Sequence, residues 1–254
     1  MTEKQIENGF WYWDKSNNFP PNSISHPTQY DGEPKVNIAC TQISDLTISD
    51  QKKLVKEWSN FLPTCKNIEI LWFTTTTPQL LFDSACLLDH LIGLNIKNSS
   101  ISALENIKNL TSLKYLRIGG SSKIESIEPL KELTKLEVLT IENFKNISDF
   151  SILGQLTNLK FLSIEGGMYT KQKVESLEPV NRLTNLVYFS TTMISTPNKS
   201  IDPILKLKNL ITLNWPFTLT DAEMKKLKME LPNLKYLPDR YDQNNHDKLK
   251  DLLK

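Results

Sequence analysis

The phrase Leu113-Lys-Tyr-Leu116-Arg-Ile118 returns as Leu136-Glu-Val-Leu139-Thr-Ile141 and again as Leu159-Lys-Phe-Leu162-Ser-Ile164. Looser copies begin at Ile68, Leu91, Leu186, Leu210 and Leu234, so eight starts are separated by 23, 22, 23, 23, 27, 24 and 24 residues. Near-constant spacing of this length marks a repeat architecture. Between the phrases a second pattern recurs: Ile124-Glu-Ser-Ile127-Glu-Pro129-Leu130-Lys-Glu-Leu133 matches Val174-Glu-Ser-Leu177-Glu-Pro179-Val180-Asn-Arg-Leu183.

The physics of one unit follows from the two patterns. Alternating apolar residues suit a short strand with its leucines turned inward. The return leg has apolar residues three apart and a proline near its start, which suits a helical or 3-10 turn. One unit cannot bury both apolar sets, so the units must stack into a solenoid with capped ends. Strands pack about 4.8 Å apart, closer than the bulkier return legs, which predicts a parallel sheet on the concave side.

These residues make the chain resemble leucine-rich-repeat proteins with the short repeats of the internalin family. The resemblance covers residues 63–239. It implies an α/β fold: a curved right-handed solenoid with a parallel concave sheet, a helical or 3-10 convex side and an irregular N-terminal cap. It also implies a surface used to bind a protein. The asparagine that the family places in the turn after the strand is replaced, for example by Ser99. A partial asparagine ladder is therefore expected. The eight residues Gly166–Lys173 lengthen the fifth unit and should bulge from an edge.

Composition bounds the function. The chain has 254 residues with 30 Lys+Arg and 29 Asp+Glu, a formal net charge of +1. That balance gives no basic excess for nucleic acid and no reason to expect an anionic membrane as partner. No apolar run is long enough to cross a bilayer as a helix. The polar start at Met1, read as the natural one, lacks a signal-peptide core and predicts a cytoplasmic protein. Cys40, Cys65 and Cys86 suggest no disulfide framework, and the three histidines lack zinc-ligand spacing. Cys65 and Cys86 fall at repeat positions that favour burial. No P-loop, G-x-S-x-G or H-E-x-x-H motif occurs. Gly119-Gly120 and Gly166-Gly167 read as turn glycines. A non-enzymatic protein without cofactor or metal is expected.

Outside the repeat, residues 1–62 are expected to form an aromatic N-terminal segment and a helical cap, and residues 240–254 a capping helix. Phe10-Trp-Tyr-Trp13, Phe19-Pro20-Pro21 and His26-Pro27 suit an irregular stretch anchored by its rings. Those rings either cover the open end of the solenoid or its cap, or form a partner-binding edge. Val36–Cys40 reads as a strand. Residues 50–62 have helical spacing with Ser49 or Asp50 as N-cap, and Thr220-Asp221 opens a similar helix.

The concave surface is read by column. Tyr115, Phe161, Tyr188 and Tyr236 precede the central leucine of their units, and Trp72 follows it. Together they predict an exposed row of rings, which on a rigid scaffold marks an interaction site or else packs laterally across strands. Five rings each losing about 80 Å² give roughly 10 kcal/mol gross at ~25 cal/mol/Å². Association costs roughly 4–15 kcal/mol. Polar contacts are therefore also required, and the candidates are Lys97, Lys114 and Arg117 toward one end and Glu137, Glu142 and Glu165 in the middle. The predicted partner-binding set is Trp72, Tyr115, Arg117, Glu142, Phe161, Glu165, Tyr188 and Tyr236. The predicted function is capture of a protein ligand on the concave face. One form of it is a bacterial immunity or inhibitor protein against a toxin. The alternative is a structural scaffold that self-associates; the sequence leaves the oligomeric state open.

Overall fold

The computed structural model describes residues 1–237; the helix expected over 240–254 lies outside them. The described residues contain eleven strands: β1 (Ser23–Ile24), β2 (Lys35–Ile38), β3 (Ile70–Thr77), β4 (Gly93–Ser99), β5 (Tyr115–Ile118), β6 (Val138–Glu142), β7 (Phe161–Glu165), β8 (Gln172–Lys173), β9 (Tyr188–Thr192), β10 (Ile194–Ser195) and β11 (Thr212–Asn214). Nine of them form one sheet in the order β1-β2-β3-β4-β5-β6-β7-β9-β11. Every pairing in it is parallel. The central leucines stand in one row: Leu71, Leu94, Leu116, Leu139 and Leu162, continued by Phe189 and Leu213. All seven are fully buried, so the repeat period read from the sequence sets the register of the sheet.

The return legs are 3-10 turns over Glu105–Asn109, Glu128–Glu132, Ser151–Gln155, Glu178–Arg182 and Ile204–Lys206. Pro129 and Pro179 sit in their first turns, where a missing N–H costs nothing. Ile107, Leu130, Leu153, Val180 and Ile204 point from these legs into one core shared with the strand leucines. The result is a leucine-rich-repeat solenoid with a parallel concave sheet.

An asparagine ladder is present, but before the strand rather than after it. Asn158, Asn185, Asn209 and Asn233 each donate a side-chain hydrogen bond to a carbonyl of the preceding unit, at Thr134, Thr157, Thr184 and Lys208 (2.8–3.0 Å). After the strands Ser99 and Ser121 take that role, hydroxyl to hydroxyl at 2.6 Å.

The described residues contain four α-helices: α1 (Glu3–Asn8) and α2 (Ile48–Phe61) precede the repeat, and α3 (Gln79–Ala85) and α4 (Asp221–Glu230) lie in its first and last units. Helix α2 starts earlier than its spacing suggests. Its N-cap is Thr47, whose hydroxyl accepts the Asp50 amide, so Ser49 and Asp50 lie in the first turn instead. Helix α4 is capped by Thr220, which exchanges hydrogen bonds with Glu223. Trp58 of α2 is fully buried and donates its indole N–H to the Ser25 carbonyl at 2.7 Å, tying cap to edge strand.

The long fifth unit leaves the sheet edge and forms β8, which pairs with β10. Buried Gln172 clamps its base. Its side-chain oxygen accepts the Phe144 amide at 2.7 Å, and its side-chain nitrogen donates to the Ile147 and Phe144 carbonyls at 2.7 and 3.1 Å. Gly166 is required here, because a Cβ would fall 2.2 Å from the Met193 carbonyl oxygen. Cys40, Cys65 and Cys86 are unpaired and buried, and burial pushes the Cys40 thiol up to about 12.

Candidate protein-binding face

The columns expected on the concave sheet are present in register. Ile70, Gly93, Tyr115, Val138, Phe161, Tyr188 and Thr212 lie side by side, and Tyr236 bridges to Thr212. The next row on the same face is Trp72, Asn95, Arg117, Thr140, Ser163, Ser190 and Asn214. Their direction, away from the solenoid core, is as read; their exposure is not. Trp72, Phe161 and Tyr188 are buried, at 3%, 2% and 6%, and Tyr115 is half-buried. Tyr236, at the last bridge, is half-buried as well.

The cover is the chain's own beginning. Residues 2–21 form a strap that crosses the strands. Phe10 stacks on Tyr115 with ring centroids 4.4 Å apart and meets Phe161 edge-on at 6.2 Å. Phe161 stacks on Tyr188 at 5.4 Å. Gly9 passes over Tyr188 with φ +94, and a Cβ there would stand 3.3 Å from the phenol oxygen. Trp11 and Phe19 stack on one another at 5.9 Å and both meet Trp72 edge-on. At the far end the Thr212 hydroxyl donates to the Ile6 carbonyl at 2.5 Å. The N-terminal aromatics therefore roof the concave sheet rather than the open end of the solenoid. Apolar rings that share one wet trough gain more by covering each other than by staying in water.

What stays accessible is a mixed rim. Arg117 bridges to Glu142 at 3.0 Å, both partly exposed. Glu165 pairs in register with Glu142. Its carboxyl is raised by burial, opposed by the Arg117 charge and reinforced by the Glu142 charge. Among the described residues Arg117 Nε has no hydrogen-bond partner. A cleft of about 230 Å³ separates strap residues Gly9–Tyr12 from Arg117, Thr140, Ser163 and Glu165. So the structure gathers Arg117, Glu142 and Glu165 and leaves them at the edge of the strap, while Trp72, Tyr115, Phe161 and Tyr188 form its bed.

Further exposed side chains, outside the predicted set, lie on the strap, which the sequence offered as a partner-binding edge in one of two readings, and on the insertion. Tyr12 and Trp13 are 40% and 58% exposed. Met168 and Tyr169 are 81% and 89% exposed and follow closely after Glu165, on the loop whose base Gln172 clamps. The available signal was the order within Phe10-Trp11-Tyr12-Trp13, in which the first two rings are seated and the last two are free. Nothing in the sequence names the surface on which a segment so far from β5 along the chain would land.

The repeat fold resembles known structures. The crystal structure of internalin C2 from Listeria monocytogenes is 25% identical to the chain, covering 70% of it and 72% of that protein, with a TM-score of 0.54. The chain is an internalin-like leucine-rich-repeat protein. A second Listeria monocytogenes internalin, inlF, is 22% identical over 81% of this chain and 60% of its own length, with a TM-score of 0.53, and it shares the fold. No protein-family model matches the sequence, and no curated protein does. Solenoids of this internalin-like kind are protein-binding modules in general. Among the described residues no helix is long and apolar enough to cross a membrane.

Proposed function

We propose that this solenoid is a non-catalytic protein-binding module that takes its partner on the strap-covered concave face. The observation that carries the reading is the pair Tyr12 and Trp13, held out to solvent on a strap whose other rings are fixed in the sheet. Exposed rings on a rigid base are the usual anchors of a protein interface. Arg117 and Glu165, which line one cleft with Tyr12, and Glu142, paired with Arg117, supply polar contacts, and exposed Met168 and Tyr169 add apolar surface on the insertion that follows Glu165. Three buried, unpaired cysteines support a reducing, cytoplasmic setting.

The test is capture from the native host by wild-type chain and by a Tyr12→Ala/Trp13→Ala variant, read by mass spectrometry. Truncating two anchoring rings costs about 2 kcal/mol each, so the specific partner is retained only by the wild type. An unchanged set of captured proteins rejects the face. A bacterial immunity protein that inhibits a toxin is the form of this reading in which capture alone blocks the partner. It is tested in cells: expression protects against a toxin encoded beside this chain, and undiminished killing rejects that form.

A further inference from the structure

The sheet divides two separate apolar clusters. Behind it lies the solenoid core. In front of it Phe10, Val138, Phe161 and Tyr188 form a second cluster, with Ile6, Trp11, Phe19 and Tyr115 at its margin. The strap enters that second cluster alone. Its backbone hydrogen bonds are internal: Gly9 to Gln5, Tyr12 to Gly9, and Asp14 and Phe19 to each other. Among the described residues, two side-chain bonds tie its main chain to the solenoid, from Thr212 to the Ile6 carbonyl and from Asn37 to the Pro21 carbonyl at 3.0 Å. No strand pairing among those residues joins it to the sheet. Lifting the strap breaks no ladder and leaves the main core closed, which is the condition for a unit that opens on its own.

We propose that the trough beneath the strap is a second peptide-binding site, which the strap fills in cis and which takes a linear segment of a protein partner when the strap lifts. The seated strap states the chemistry of that segment. A carbonyl meets the Thr212 hydroxyl, a glycine clears the Tyr188 phenol, and an aromatic ring follows it into the gap between Tyr115 and Phe161. A second ring then reaches Trp72. In this chain the pattern is Ile6-x-x-Gly9-Phe10-Trp11. The strap is thus a built-in competitor that sets how much of the trough is available. This inference concerns the bed of the strap and does not depend on Tyr12 or Trp13 as contacts.

Two measurements on the full chain test it. A Val138→Cys substitution places a new thiol under the strap, whereas Cys40, Cys65 and Cys86 lie in the solenoid core. If the strap opens independently, a thiol reagent labels the introduced thiol at least about 100-fold faster than those three. Equal rates make the strap part of the global unit and overturn the proposal. The second probe is a dye-labelled peptide with the sequence of residues 2–19. It binds a full-length Phe10→Ala chain at least about tenfold tighter than wild type, because the wild-type strap competes for the trough. Adding Tyr115→Ala and Phe161→Ala abolishes that binding. Failure of the peptide to bind Phe10→Ala overturns the proposal. So does a dimer whose formation slows labelling of the Val138→Cys chain, because the occupant is then the strap of a second copy.

Discussion

Glu165 shows how one side chain couples the concave face to pH. Its carboxyl is pushed up by burial at the edge of the strap; Arg117 opposes that, and Glu142 across the strand pair adds to it. A carboxyl whose folded value is raised holds its proton more tightly in the folded state. Its contribution is complete below the ordinary value of 4.5 and is lost as pH rises through the raised folded value. Glu165→Gln should therefore stabilise the chain at neutral pH and have little effect under acid, seen in denaturant midpoints at both ends of that range. A midpoint that is lower for the variant at neutral pH would show that Glu165 gains more from Arg117 than burial takes. Gln172 acts in the opposite sense. It makes three buried hydrogen bonds across to Phe144 and Ile147. Gln172→Ala strands those backbone groups and should cost about 3 kcal/mol in urea unfolding.

At the scale of elements, the strands and return legs were legible because their periods of two and three have one physical meaning each. The central leucines, the 3-10 legs and the turn prolines fall where the spacing put them. The cap of α2 was misplaced by two or three residues, because Thr47, Ser49 and Asp50 can all accept an amide and only the chain's path selects among them. Thr47→Ala should lower stability by about 1 kcal/mol, whereas Ser49→Ala should change it little. Parallel thermal melts of the two variants check the assignment. The ladder of Asn158, Asn185, Asn209 and Asn233 escaped notice for a related reason. A polar residue that is exposed in sequence terms can still be fixed by a carbonyl in the neighbouring unit, and no single-repeat pattern displays that partner.

For the molecule as a whole, stability follows from neighbour-to-neighbour stacking, so damage in the middle is felt on both sides. Leu139→Ala, in the central β6, should cost about 3 kcal/mol and reduce the cooperativity of unfolding; calorimetry measures both. The candidate site was half legible at this scale. Column order along the sheet gave Tyr115, Phe161 and Tyr188 the correct direction and Arg117, Glu142 and Glu165 the correct neighbourhood. What covers them could not be read, because a strap held by ring contacts has no register, and ring contacts leave no periodic trace in a sequence. Sorting Phe10 and Trp11 from Tyr12 and Trp13 required the trough itself.

The bond between Ile6 and Thr212 joins positions 206 residues apart. During synthesis the strap emerges before every strand that seats it, and Thr212, its last anchor, follows Ile6 by 206 residues. Until β5, β7 and β9 have emerged Phe10 has no completed seat, so nascent chains that stop short of those strands should be the form most prone to aggregate and most dependent on chaperones.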